Sequence, residues 1–272
     1  MHLHMSFFLC TFVRFFRTCM RIALIGYGKM GHMIEEIALE RGHSVVCAID
    51  ANNDLKIENL RLKIYSPEEG FESEEFRSAD VAIEFSTPAT AKDNILRAWA
   101  QGVPVVSGTT GWRPEGLKIE DWRLKIEDNK TVITDEKGKT MLVWSSNFSV
   151  GVNIFFDLNQ FLAKEMDNEK LKMENGKCLY TPSITEIHHI HKLDKPSGTA
   201  KTLANDIMSA VSPLNGDAAL NGVPIESIRE GEVPGTHEVQ WDSEEDTIII
   251  THIAKGRRGF ALGAVLAAES LI

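Results

Sequence analysis

Cysteine is scarce in this chain of 272 residues: Cys10, Cys19, Cys47 and Cys178 are scattered, with no C-x-x-C pair and no close spacing. That excludes a disulfide framework and fits reduced thiols in a cytoplasm. Basic charge is also short. A formal net charge of -10 argues against a general affinity for nucleic acid or an anionic membrane, both of which need a basic face. An anionic ligand would therefore need a local cationic pocket. The apolar opening, "MHLHMSFFLCTFVRFFRTC" over residues 1–19, is too short to span a bilayer and is broken by Arg14 and Arg17. Its arginines follow the apolar run instead of preceding it, and no small-residue cleavage site comes after, so it does not read as a secretory signal. It reads as an extension outside any domain, with Met20 as an alternative start; a short membrane-surface anchor is the rival reading.

What is present is an ordinary globular composition, 43% hydrophobic and 25% charged, long enough for two modest domains. From Met20 onward "RIALIG" is a β-branched run, "GYGKMG" a glycine turn, and "HMIEEIALERG" places Met33, Ile34, Ile37 and Ala38 at helical spacing. "HSVVCAID", "VAIEFSTP" and "PVVSGTTG" read as further buried strands. Strand and helix in alternation imply parallel pairing with right-handed crossovers, hence a doubly wound α/β domain. The second half reads as a mixed α+β domain, with helices in "VNIFFDLNQFLAKEM", "GTAKTLANDIMSAV" and "GFALGAVLAAESL". Its strands fall in "SITEIHHI", "PIESIREGE", "HEVQWDS" and "DTIIITHIA". The expected division is a dinucleotide-binding domain over 20–148, completed by 255–272, and a second domain over 149–254.

"LKIENLRLKI" at 55–64 returns almost unchanged in "LKIEDWRLKIED" at 117–128. Two copies lodged between unrelated strands are not a solenoid, and their charge-rich pattern predicts solvated loop insertions without a catalytic role.

Gly26, Gly28 and Gly31 form G-x-G-x-x-G between a strand and a helix, and Asp50 follows at a strand end about 20 positions on. The first glycine permits the tight turn, the second lets a pyrophosphate approach the backbone, and the third allows close helix–strand packing. The helix N-terminus would meet the phosphates and Asp50 the ribose hydroxyls. Asp50, with Ala51 where an arginine would grip a 2′-phosphate, favours NADH, whereas Lys29 offers a cation that would help NADPH.

"GYGKMG", "EFSTP", "SGTTG", "SSNFSVGVN", "EIHHIHKLDKPSGTA" and "HIAKGRRGFALGA" occur in that order. Together they resemble the 4-hydroxy-tetrahydrodipicolinate (dihydrodipicolinate) reductases of lysine and diaminopimelate biosynthesis, essentially from Met20 to the end. The resemblance implies a Rossmann-type doubly wound sheet with a second α+β domain for substrate binding and oligomerisation. It also implies NADH or NADPH as cofactor, a small dicarboxylate substrate and a homotetramer; the scattered thiols place it in the cytoplasm, and no metal is expected. It places the cofactor on Gly26, Tyr27, Gly28, Lys29, Met30, Gly31, Asp50, Ser86, Thr87, Gly108, Thr109, Thr110, Ser146, Asn147, Phe148 and Arg257. His188 and Lys192 become the catalytic pair, with the donor of the proton left open between them. His189, Lys192, Ser197, Gly198 and Thr199 would bind the carboxylates. Departures from the family pattern are the extension, the two repeats and a glycine turn one residue shorter than in some members.

As an extended strand, His188 and Lys192 would stand about 13 Å apart, so the chain must bend after the histidines, as Pro196 and its polar surroundings permit. Ser197, Gly198 and Thr199 would then open a helix whose N–H groups receive a carboxylate. His189 and His191 offer two metal ligands with no third at recognisable spacing, and His191 reads as a structural residue satisfied by backbone hydrogen bonds. The alternatives are another two-domain amino-acid dehydrogenase, of aspartate or homoserine type, and a non-catalytic NAD(P)-binding homologue.

Overall fold

The computed structural model describes residues 19–52, 62–114, 117, 122–127, 130–168, 171, 178–211 and 222–272. Most of the amino-terminal extension and residues 55–61 of the first repeat thus lie outside the described residues. Among the described residues no helix is long and apolar enough to cross a membrane.

The first sheet is built on β1 (Arg21–Ile25), followed by α1 (Lys29–Glu40), β2 (Ser44–Ile49) and the short β3 (Ile64–Tyr65). Two single-turn helices, α2 (Pro67–Gly70) and α3 (Glu74–Arg77), lead to β4 (Val81–Glu84), α4 (Ala91–Ala100) and β5 (Val105–Ser107). Three more strands, β6 (Arg123–Glu127), β7 (Lys130–Thr134) and β8 (Thr140–Ser145), complete it. The eight strands run in the order β3-β2-β1-β4-β5-β8-β7-β6. All pairs from β3 to β8 are parallel, and β7 and β6 are added antiparallel. Strand order reverses between β1 and β4, which opens a crevice at their carboxyl ends.

The period of two along β1 divides the core. Ile22 and Leu24 enter one cluster with Ile34, Ile37 and Ala38 of α1, while Ala23 and Ile25 enter another with Phe71, Phe76, Ile95 and Trp144. Both faces of the sheet are therefore covered, as a parallel sheet requires.

The second sheet contains β9 (Thr181–His188), β10 (Ile225–Arg229), β11 (Thr236–Asp242) and β12 (Thr247–Ile253), in the order β10-β9-β11-β12. Helices α5 (Val150–Met166) and α6 (Gly198–Ala210) supply Val152, Phe155, Phe156, Leu203 and Ile207 to a core shared with Ile184, Val239 and Trp241. The chain ends in α7 (Arg258–Glu269), which returns to the first sheet and places Ala261, Ala264, Val265 and Ala268 in the core cluster of α1. The tie is polar as well, since Glu269 accepts two hydrogen bonds of 2.7 Å from Arg41 and lies 2.8 Å from His43 Nε2.

The reading of the second repeat as a loop insertion is corrected. Leu117 is buried among the core residues, and Arg123–Glu127 is a strand whose Leu124 and Ile126 register with Ile133 and Thr131 of β7. Trp122 sets its ring 4.7 Å from that of Trp99. The first repeat ends similarly, with Ile64 in β3 at the opposite edge. A charge-rich segment with alternating apolar residues is what an edge strand can carry, because its outer rim faces water. Excising residues 117–128 should therefore lower the thermal midpoint by several degrees, at roughly 2–4 °C per kcal/mol for a chain of this size. Calorimetry of the deletion protein checks this, and an unchanged midpoint would restore the loop reading.

Candidate active site

The glycine turn fulfils its steric expectation. Gly26 has φ +90°, and a Cβ there would stand 2.1 Å from the Phe85 carbonyl oxygen. A Cβ on Gly31 would meet the Gly26 oxygen at 2.5 Å, so α1 packs against the turn more closely than alanine allows. Gly28, the N-cap of α1, has open space where its side chain would be, which suits a group approaching the backbone. Asp50 closes the other side. Its Oδ2 accepts the Tyr27 N–H at 2.6 Å and its Oδ1 the Asn52 N–H at 2.8 Å, which fixes the carboxylate beside the turn.

Some of the expected cofactor residues are committed elsewhere. The Tyr27 side chain is buried, bonded through its hydroxyl to Glu35 and packed against His32 at 4.1 Å, and its N–H serves Asp50. The hydroxyls of Ser86 and Thr109 point to the fully buried Glu84, which also accepts from Ser107 Oγ at 2.5 Å and the Ser86 N–H at 3.0 Å. Glu84 was not anticipated from sequence. It ties the loops after β4 and β5 to each other below the crevice. Thr87 is exposed and bonded to Thr90 at 2.9 Å, while Lys29 stands exposed in the first turn of α1.

Other expected residues converge. Met30, Gly108, Ser146, Asn147, Phe148 and Arg257 line one cavity of about 180 Å³ together with Phe85 and Phe260. It adjoins a second, of about 300 Å³, lined by His188, Lys192, Ser197, Gly198, Thr199 and Thr110. Ser146, Asn147 and Phe260 belong to both walls. Asn147 Nδ2 also reaches Thr199 Oγ1 at 3.4 Å, so one side chain bridges the two halves.

The expected bend begins at once after His188. β9 ends there, the Lys192 N–H bonds to the His189 carbonyl at 3.1 Å, and both side chains line the larger cavity. Ser197 caps α6 by accepting the Ala200 N–H at 3.2 Å. Helix geometry leaves the N–H groups of Gly198 and Thr199 without intrahelical acceptors, and both residues line the cavity. The Lys192 ammonium is held by Asp194 at 2.8 Å.

Two histidines differ from expectation. His189 does not line the cavity, and its ring lies 6.0 Å from that of His191. His191 is exposed and pairs with the Glu232 carboxylate at 3.1 Å instead of with backbone groups, because the turn after β9 carries it outward. The metal question also changes. Glu186, His188 and His237, all buried, bring three ligand-type atoms within 4.8 Å of one another. Glu186 is already paired with Arg229 at 2.9 Å, however, and an additional cation beside that guanidinium and Lys192 would be repelled.

Glu186, Arg229, His237 and Gly235 were missed. Alternation along β9 does put Glu186 on the face of His188, a signal present in the sequence. The other partners depend on strand register, in which His237 lies opposite Glu186 and Arg229 opposite His188.

Residues 20–148 match the family described as dihydrodipicolinate reductase, N-terminus, and residues 151–272 match its C-terminus. The chain belongs to the dihydrodipicolinate reductase family. It is 44% identical to the 4-hydroxy-tetrahydrodipicolinate reductase of Christiangramia forsetii over 256 residues, 93% of this chain and 92% of that protein. The reductase of Archaeoglobus fulgidus is 35% identical over 265 residues, 92% of this chain and 93% of its own. Among solved structures, a dipicolinate-bound dihydrodipicolinate reductase from Paenisporosarcina sp. TG-14 shares the fold at a TM-score of 0.69 and 20% identity, covering 93% of this chain and 95% of that one.

Family members are thus matched across both halves of the site, and its buried histidines have a consequence for stability. Burial, with the His188 charge adding to it, pushes His237 down to about 3, and burial likewise lowers His188 and His252. The unfolded chain takes up protons near pH 6.5 while the folded form resists. The contribution is therefore complete above pH 6.5 and is lost as pH falls toward the depressed values. Urea unfolding at pH 7.5 and pH 5.5 should show lower stability in acid, and His237→Gln should flatten that slope; an unaltered slope would contradict the assignment.

Proposed function

We propose that the chain catalyses the NAD(P)H-dependent reduction of 4-hydroxy-tetrahydrodipicolinate to tetrahydrodipicolinate, a step in lysine and diaminopimelate biosynthesis. The observation that carries the reading is the abutment of the two cavities. One adjoins the glycine turn, and the other holds His188, Lys192 and the N-terminus of α6. A family relative of the same fold has been captured with dipicolinate, which supports a small dicarboxylate as the ligand class.

When bound, a reduced nicotinamide would supply the hydride for the conjugated imine left when the 4-hydroxyl departs as water. The protein's part is to bind, orient and protonate. The turn from Gly26 to Gly31 would hold the phosphates and Asp50 the ribose, and Met30, Gly108, Asn147 and Phe148 would line the place of the nicotinamide. The N–H groups of Gly198 and Thr199 receive one substrate carboxylate. The Lys192 ammonium exchanges Asp194 for substrate charge, and the pair His188 and Lys192 delivers the proton. No metal is required by this scheme.

The site divides between a dinucleotide-binding domain over 20–148, completed by 255–272, and a substrate domain over 149–254. We infer a homotetramer, supported by the uncovered outer face of the second sheet, where Ile249 and Ile253 are 52% and 65% exposed. Cytoplasmic residence accords with the free thiols of Cys19, Cys47 and Cys178.

Replacing His188 or Lys192 by alanine should lower kcat by roughly 10²–10⁴-fold, the usual worth of general acid–base help. Lys192→Ala should also raise KM, because its ammonium meets a carboxylate, and NADH affinity should hardly change in either variant. His191→Ala is the control, and its exposed position predicts little effect on turnover or stability. Steady-state kinetics with freshly generated substrate decide it. No NADH oxidation by the unsubstituted protein would reject the reaction itself.

On cofactor choice, the fixed Asp50 carboxylate would repel a 2′-phosphate, while Lys29 partly offsets it. Both cofactors should serve, with kcat/KM for NADH at least equal to that for NADPH. A strong preference for NADPH measured side by side would show that Asp50 does not face the ribose.

A further inference from the structure

Glu186 is a charged group at the centre of the second domain with no solvent exposure, and the proton transfer described above does not use it. Its surroundings are set by strand geometry. On β9 it points to the same face as His188, and neighbouring strands place Arg229 and His237 around the pair. Oε1 accepts from Arg229 Nη2 at 2.9 Å and from the Ser197 N–H at 3.3 Å, while Oε2 contacts His188 Nδ1. The two carboxylate oxygens thus face different groups, one toward the cation and the α6 cap, the other toward the imidazole.

The opposite end of that imidazole lies over a glycine. A Cβ built on Gly235 would stand 3.1 Å from His188 Nε2, and Gly235, at φ +150°, lines the larger cavity. One ring nitrogen therefore faces a buried carboxylate oxygen, and the other stands at the cavity wall beside a residue without a side chain.

We propose that Glu186 is a positioning residue that holds His188 with its Nδ1–H turned inward and Nε2 presented to the substrate, and through the Ser197 N–H sets the carboxylate-binding end of α6 by the same carboxylate. The inference rests on the reading of His188 as one of the proton-delivering pair. A neutral imidazole carries a single N–H, and the acceptor beside one nitrogen decides which nitrogen keeps it. With Glu186 at Nδ1, protonation adds the mobile proton at Nε2. Glu186 keeps its charge: burial works against it, but the donors Ser227 and Arg229 and the nearby His188 outweigh burial and hold it below the usual carboxylate range. That charge favours the imidazolium, against the burial of His188 and the cations Lys192 and Arg229 that disfavour it. His237, kept neutral by burial, adds no positive charge on the β11 side near neutral pH.

A purely structural ion pair between β9 and β10 is the competing explanation. It predicts that losing the Glu186 charge weakens folding but leaves the titration of turnover where it was. Glu186→Gln should reduce kcat by roughly 10–10³-fold, between the usual worth of an orienting partner and that of a lost tautomer. Because an acid must be protonated to act, the alkaline limb of kcat against pH should also move to lower pH, by about one unit. NADH affinity, read by fluorescence titration, should stay within about twofold, since the dinucleotide crevice is in the other domain. Glu186→Asp keeps the charge and should recover most of the limb position. A limb that stays in place while kcat falls, or a kcat unchanged in Glu186→Gln, would overturn the proposal.

A second measurement covers the case in which Glu186→Gln does not fold. Nitrogen-15 NMR of the imidazoles in the unsubstituted protein, with His188 assigned by its loss in His188→Gln, should report the Nδ1–H tautomer for neutral His188. A predominant Nε2–H tautomer would overturn the proposal. This reading needs no substrate, so it stands apart from any failure of the proposed reaction, which would appear as absent NADH oxidation.

Discussion

Glu84 and Glu186 each lie at or near the carboxyl end of a strand with no solvent exposure, and burying a carboxylate costs several kcal/mol unless its oxygens are met by donors. Glu84 is met by donors on both oxygens and Glu186 on Oε1, with Oε2 set against the His188 ring, and the groups around them are site elements. Glu84 gathers Ser86, Ser107 and Thr109, so the loops after β4 and β5 cannot move independently. Glu186 gathers His188, Arg229 and the Ser197 N–H, so the imidazole and the start of α6 share one anchor. Breaking either network leaves a buried carboxylate without its partners, which explains how these loops hold a fixed geometry.

The same economy governs the join between the domains. Strand β8 ends in Ser145, whose Oγ accepts the Asn147 N–H at 3.1 Å, and Asn147 Oδ1 accepts the Ser149 N–H at 2.9 Å before α5 begins. The linker is thus pinned at alternate residues, Ser145, Asn147 and Ser149. It places Phe148 inward, where α7 crosses it so closely that a Cβ on Gly263 would be 1.6 Å from the Phe148 oxygen. Asn147, held between these contacts, is left to face both cavities and Thr199.

How much of this was legible in the sequence follows from how local each cause is. The glycine turn could be read because its spacing is a local pattern: Gly31 is constrained by Gly26 five residues earlier, although the clash that fixes Gly26 comes from distant Phe85. The helix opened by Ser197 and the bend after His188 were legible for the same reason. Partners that depend on register were not: nothing near His237 in the chain announces that it stands opposite Glu186. Nor did the sequence show that the Ser86 and Thr109 hydroxyls are bonded to the buried Glu84. The second repeat misled. Its composition suits a solvated loop, yet the free edge of β7 offered unpaired backbone groups, and satisfying them made Arg123–Glu127 a strand.

Charge balance links these local facts to the proposed chemistry. A chain with net charge -10 must receive an anionic substrate, so its cations cannot simply be exposed at the cavity to collect counter-ions. Arg229 is withdrawn: it binds Glu186 and donates to the backbone carbonyls of Lys192, Ile228 and Asp194, a structural use that fixes the loop after β9. Lys192 is instead paired with Asp194, whose side chain is half exposed, so water screens that pair more than the buried one. Of the two, the Lys192 pair is the one a dicarboxylate can displace at small cost. On the proposed reading, an anion would be received by the Lys192 ammonium and the N–H groups at the start of α6, while the buried pair at Glu186 serves the architecture beneath them.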